Sequence, residues 1–115
     1  MKSLELKFAK EIINGNPHVF STTDVLKVAI ENVNKQKGLS VSEMSIRIKI
    51  IDKLNENKEF DLSKLKIEDI DFDLKKVIDI EDDYVVKLIE MMDEVEWKLV
   101  SRFVLSVLED LKSQA

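Results

Sequence analysis

The sequence predicts a mainly α fold, a compact single-domain helical bundle of four to five helices with a short strand or β-hairpin between residues 60 and 80. Three observations carry that expectation. Apolar residues recur at helical spacing through Val25, Leu26, Ala29, Ile30 and Val33, and a helix-start signal stands at Ser40. Residues 77–111 then hold two consecutive amphipathic patterns behind an acidic start. A chain of 115 residues buries roughly two-thirds of its unfolded surface, enough for one core, so a single domain over residues 1–115 is expected.

Residues 3–14 support two readings. Leu4, Leu6 and Phe8 alternate as a strand would, while Leu4, Phe8, Ala9, Ile12 and Ile13 share one helical face. Helix is favoured, because Lys10 and Glu11 extend the pattern and Asn14-Gly15-Asn16-Pro17 then stops it. His18, the sole histidine, follows in a loop. Next comes a helix over about Asp24–Lys37, opened by Ser21, Thr22 and Thr23 and closed at Gly38, with Lys35 and Lys37 at its negative end.

The start at Ser40 is the strongest local signal. Ser40 and Glu43 form a capping box, and Leu39 with Met44 forms a hydrophobic staple, so a helix runs from Val41 to about Asn55. Val41, Met44, Ile48, Ile51 and Leu54 fit its buried face. Ile46 and Ile50 widen that face beyond one stripe, which predicts a central helix contacted from two sides. Residues 60–80 alternate instead, through Phe60 and Leu62, Leu65 and Ile67, then Ile70, Phe72 and Leu74, and read as one or two short strands before another at Val77–Ile80.

Glu81, Asp82 and Asp83 crowd the first turn of the following helix, where carboxylates meet the positive end of the dipole. Val85, Leu88, Ile89, Met92 and Val95 make its buried face. A last helix sets Val100, Phe103, Val104, Val107, Leu108 and Leu111 on one side. Neither Gly nor Pro separates the two, so the reading is a bend near Glu96-Trp97, with one long helix as the alternative.

Catalytic and metal signatures are sparse. The absence of cysteine removes disulfides, thiolate metal sites and cysteine nucleophiles, and a lone histidine beside Pro17 makes a poor base or ligand. Two glycines cannot build a dinucleotide fingerprint or a phosphate loop. Asp69, Asp71 and Asp73 have the spacing of the first three ligands of a calcium loop, but Leu74 and Ile80 occupy the positions that need Gly and Glu. No enzyme activity, metal or cofactor is therefore expected.

Charge distribution points to contact. Residues 1–58 carry ten Lys and Arg against seven Asp and Glu, whereas residues 59–115 carry eight against sixteen. The acidic second half repels phosphate backbones and favours a basic partner. The expected function is a non-enzymatic protein–protein interaction module, with Met91, Met92 and Trp97 as anchors and Asp82 and Asp83 steering the partner. Wide apolar faces also allow a homo-oligomer. Two alternatives are a DNA-binding regulator that uses Arg47, Lys49 and Lys53 on the Ser40 helix, and an acidic nucleic-acid-mimicking decoy of a host protein that uses Asp69 to Asp83. No apolar run approaches the ~20 residues that span a bilayer, and the first residues, MKSLELKFAKE, are too charged for a signal peptide. A soluble, cytoplasmic protein with no membrane partner is expected.

A short apolar strand at Val77–Ile80, the acidic Glu81-Asp82-Asp83-Tyr84, a helix ending in Trp97 and a closing helix ending in Val107-Leu108-Glu109-Asp110-Leu111 together resemble small proteins that bacteriophages and prophages encode. The resemblance covers about a third of the chain. Proline usually follows the tryptophan in those proteins, and Lys98 stands there instead. What the resemblance implies is a phage or prophage assembly or accessory protein, with no catalytic or binding residue to transfer.

Overall fold

Asn14 and Gly15 both take positive φ, 53° and 80°, and reverse the chain between them. A two-residue loop with positive φ at both positions has the twist that flanking strands need, so it closes a hairpin. Lys2–Ile13 (β1) and Asn16–Ser21 (β2) pair antiparallel, with Ile13 opposite Asn16 and Phe8 opposite Ser21. A third strand, Lys75–Ile80 (β3), pairs antiparallel with the first half of β1, so the sheet order is β2-β1-β3. The computed structural model describes residues 2–33 and 36–114.

The fold is therefore α+β, which corrects the mainly α bundle expected from sequence. Residues 3–14 are strand and not helix, because alternation buries Leu4, Leu6 and Phe8 on one sheet face beside Ile78 and Ile80 while Ser3, Glu5, Val77 and Asp79 face out. His18 lies in β2 and not in a loop, its ring stacked on Phe20 with centroids 6.2 Å apart. The exposed edge of β1 is met by side chains: Ser3 N–H donates to Gln114 Oε1 at 2.7 Å, Gln114 Nε2 donates back to the Ser3 carbonyl, and Lys7 N–H donates to Thr22 Oγ1 at 3.2 Å. Between residues 58 and 69 the expected strands are replaced by three 3-10 turns, Lys58–Phe60, Leu62–Lys64 and Ile67–Asp69. Asp61 selects the turn there by accepting from both the N–H and the hydroxyl of Ser63.

Four helices complete the described residues: Thr22–Glu31 (α1), Val41–Asn55 (α2), Asp82–Glu94 (α3) and Arg102–Lys112 (α4). α1 starts earlier and stops sooner than expected, with Ser21 as its N-cap and Asn32 as its C-cap; Lys35, placed near its end by sequence, lies outside the described residues. α1 holds the centre, touching both β1 and β2 and all three other helices, while Val25, Leu26, Ala29 and Ile30 are sealed in the core. That central place was expected for α2. α2 instead covers one side of α1, burying Ile50 and Leu54 and half-burying Ile46 and Ile51.

α3 and α4 are separate helices, joined by residues 95–101. The helix expected to reach Trp97 stops at Glu94, and Val100, expected on a buried face, is 92% exposed. The break is imposed from a distance. Glu11 on β1 accepts from Ser101 Oγ at 2.5 Å, Phe103 N–H at 2.7 Å and Arg102 N–H at 3.1 Å, while Ser101 Oγ accepts from Val104 N–H at 3.2 Å. The first turn of α4 is thus capped twice, once by its own serine and once by a carboxylate of the sheet. Phe103, Val107 and Leu111 then face the core. Among the described residues no helix is long and apolar enough to cross a membrane.

Candidate functional site

The surface that a partner could use is built on α2. Ser40 Oγ accepts from Glu43 N–H at 3.1 Å and sets the start of the helix, which fixes the rotation of every later side chain. At 100° per residue, Ile46, Ile50 and Leu54 point to α1, and Val41, Met44 and Ile48 point the opposite way. These three are 83%, 49% and 51% exposed, so they form an outward apolar row about 10 Å long. Sequence reading assigned the same three residues to the buried face. The signal was present in Ile46 and Ile50, which lie across the helix from Ile48 and so supply a second helical face instead of widening the first.

The anchors chosen from sequence are scattered. Met91 and Met92 are 6% and 2% exposed and pack in the core against α1, so they cannot act as contact anchors, and methionine at helical spacing fills a core gap here. Trp97 is half-buried, and its Nε1–H donates to the Met92 carbonyl at 3.3 Å, closing the end of α3. Asp82 and Asp83 are exposed at the first turn of α3, away from any Met91–Trp97 patch. The basic trio divides as well: Arg47 Nη1 donates to the carbonyls of Ile30 and Asn32 at 2.6 and 2.9 Å, capping the C-terminal end of α1, while Lys49 is exposed and Lys53 half-buried. A cleft beside Arg47, about 340 Å³ in volume, is lined by Lys37, Arg47 and Lys87 but also by Glu43, Glu90 and Glu94, so it concentrates neither sign of charge.

Two acids carry electrostatic work that sequence reading missed. Asp61 is buried, accepts from Ser63, and meets Lys27 Nζ of α1 at 3.4 Å, while the same ammonium donates to Asn55 Oδ1 at the end of α2, at 2.7 Å. The Ser63 hydroxyl, helped by the Ser63 N–H and by Lys27, holds the Asp61 carboxyl below its usual value against the opposing pull of burial. Glu11 is lowered in the same way, first by the Ser101 hydroxyl and then by the Phe103 and Arg102 amides. Both carboxylates accept from several donors, which suits them to hold elements together. Asp71 accepts from Asp73 N–H at 2.9 Å in a turn, and among the described residues no group of three or more acidic or histidine side chains is set to hold a metal ion.

No family model, curated protein or solved structure matches the chain. The functional reading accordingly rests on the exposed row of α2 and on the distribution of charge.

Proposed function

We propose that the protein acts by contact with another protein, docking an apolar surface of the partner on the Val41–Met44–Ile48 row of α2. One observation supports the reading: the row is apolar, contiguous and turned to solvent on a helix whose other face packs on the core through Ile50 and Leu54. Burying such side chains against a partner contributes about 1.5–3 kcal/mol each at full burial. Residues 59–115, with eight Lys and Arg against sixteen Asp and Glu, give the chain an acidic half that favours a basic partner and speeds its approach. A phage or prophage accessory role is the setting that the resemblance of residues 77–111 implies.

The test places a photo-crosslinking residue at exposed Ser45, on the flank of the row. A partner captured in cells is then purified and titrated against the natural chain and against Val41→Ser/Met44→Lys/Ile48→Ser. Binding that falls at least tenfold in the triple variant supports the reading. Absence of any adduct at position 45, or equal binding of the two chains, overturns it.

A further inference from the structure

β3 leaves one edge of the sheet open. In the order β2-β1-β3 it has β1 on one side, and among the described residues no strand pairs with the other. Which of its backbone groups point outward follows from β1. Ser3 offers its N–H and carbonyl to Gln114, and Lys7 offers its N–H to Thr22, which directly follows β2, so these groups point away from β3. Direction alternates along a strand, and Lys2, Leu4 and Leu6 accordingly turn theirs to Ile80, Ile78 and Lys76, their partners in register. Lys75, Val77 and Asp79 are left with N–H and carbonyl groups aimed at the outer edge. Their side chains share the solvent face of the sheet, where Val77 is 61% exposed.

Lysine on an edge ordinarily deters strand pairing. Here an acid balances it, because Lys75 and Asp79 stand two places to either side of Val77. Neither is neutralised within the chain: Lys75 lies opposite Lys7 and Asp79 opposite Ser3, and neither forms an ion pair among the described residues. Laid antiparallel on its own copy with Val77 facing Val77, the strand sets each Lys75 against the Asp79 of the other chain. The same register places the outward groups of Lys75, Val77 and Asp79 in hydrogen-bonded pairs, about six bonds in all, and keeps both core faces on one side. Other registers fail. Centring on Lys75 or Asp79 opposes like charges, centring on Lys76 or Ile78 sets a charge against Val77, and centring between two residues turns one core face over.

We propose that the β3 edge pairs two copies of this chain, joining their three-stranded sheets into one through Val77, with Lys75 of each on Asp79 of the other. The edge uses different residues from the α2 row, and neither assignment depends on the other.

Sedimentation equilibrium at low ionic strength, from micromolar to near-millimolar chain, reads the association. It is run on the natural chain, on Lys75→Asp, on Asp79→Lys and on an equimolar mixture of the two variants. Both side chains are exposed, so neither change touches the core. Alone, each variant faces like charges at both contacts; mixed, the two chains restore opposite charges at both. The expected result is a reversible dimer of the natural chain, a dissociation constant raised roughly tenfold in each variant, and a mixture that associates as the natural chain does. Val41→Ser/Met44→Lys/Ile48→Ser should dimerise unchanged. Four outcomes overturn the proposal: monomer at every concentration, a single variant as tight as the natural chain, a mixture no tighter than its components, or loss of the dimer in the α2 triple variant.

Discussion

α1 and α2 carry apolar residues at the same spacing and meet opposite fates. α1 is reached by two strands and three helices, and Val25, Leu26, Ala29 and Ile30 all vanish from solvent. α2, five residues longer, is held against α1 along one side and buries only Ile50 and Leu54. The difference teaches that periodicity states which residues could be covered, whereas the number of neighbours that arrive decides which are. An apolar face that no neighbour reaches is the part of the molecule available for work.

Core truncation is the largest way to break the comparison. Leu26→Ala in α1 leaves a cavity at a fully buried site and should cost about 2–5 kcal/mol, against at most about 0.5 kcal/mol for Met44→Ala in α2. Denaturant unfolding measures both. Equal losses would mean that the outward row is covered in solution and that the two helices do not differ.

Lys27→Met attacks the joint between them. It removes the hydrogen bond to Asn55 of α2 and leaves buried Asp61 with only the longer contact to Lys64, at 3.9 Å, although Ser63 still serves the carboxylate. A loss of about 2–3 kcal/mol follows. Because the folded Asp61 holds its proton less readily than the unfolded one, its contribution is present above the ordinary aspartate range and is lost as pH falls through the lowered folded value, below 3.8. The penalty of Lys27→Met should therefore shrink at acid pH. A pH-independent penalty would show that the ammonium acts by packing its stem.

Glu11→Gln has a smaller effect, about 1–2 kcal/mol, because the amide can still accept from part of the same donor set. Here too the folded pKa is depressed, so the natural chain should exceed the variant in stability at neutral pH and lose that advantage as pH drops below 4.5. Thermal melts between pH 3 and 7 would show the two curves converging. Parallel curves would remove Glu11 as the charged cap of α4.

What could be read from the sequence, and what could not, follows the same division between local and distant causes. Ser40 with Glu43 is a local signal, and the helix start it predicts is present with the serine capping Glu43. Asn14-Gly15 is equally local and equally readable, since that dipeptide between apolar runs marks a hairpin; reading it as a helix stop cost β1, β2 and the fold class. The interruption near Glu96-Trp97 was read as a bend, and it is a full break; its extent was not readable, because the carboxylate that caps α4 lies 90 residues earlier, on β1. Met91 and Trp97 were named as contacts from residue type alone, and only the packing of α3 on α1 shows that the methionine is interior. The exposed row of α2 was half-legible: its residues could be grouped by spacing, but nothing local says that no element covers them.

The smallest expected change in stability falls on that row, and it carries the most functional weight. Val41→Ser/Met44→Lys/Ile48→Ser exchanges three solvent-facing side chains on a helix fixed by its Ser40 cap and by Ile50 and Leu54 beneath. Each substitution should move the unfolding free energy by no more than about 0.5 kcal/mol. If the row exists for a partner, the same three changes abolish contact while circular dichroism and the melting curve stay close to those of the natural chain. A stability loss of several kcal/mol, measured in dilute monomer, would instead place these residues inside a packed interior and return α2 to the role that its sequence first suggested.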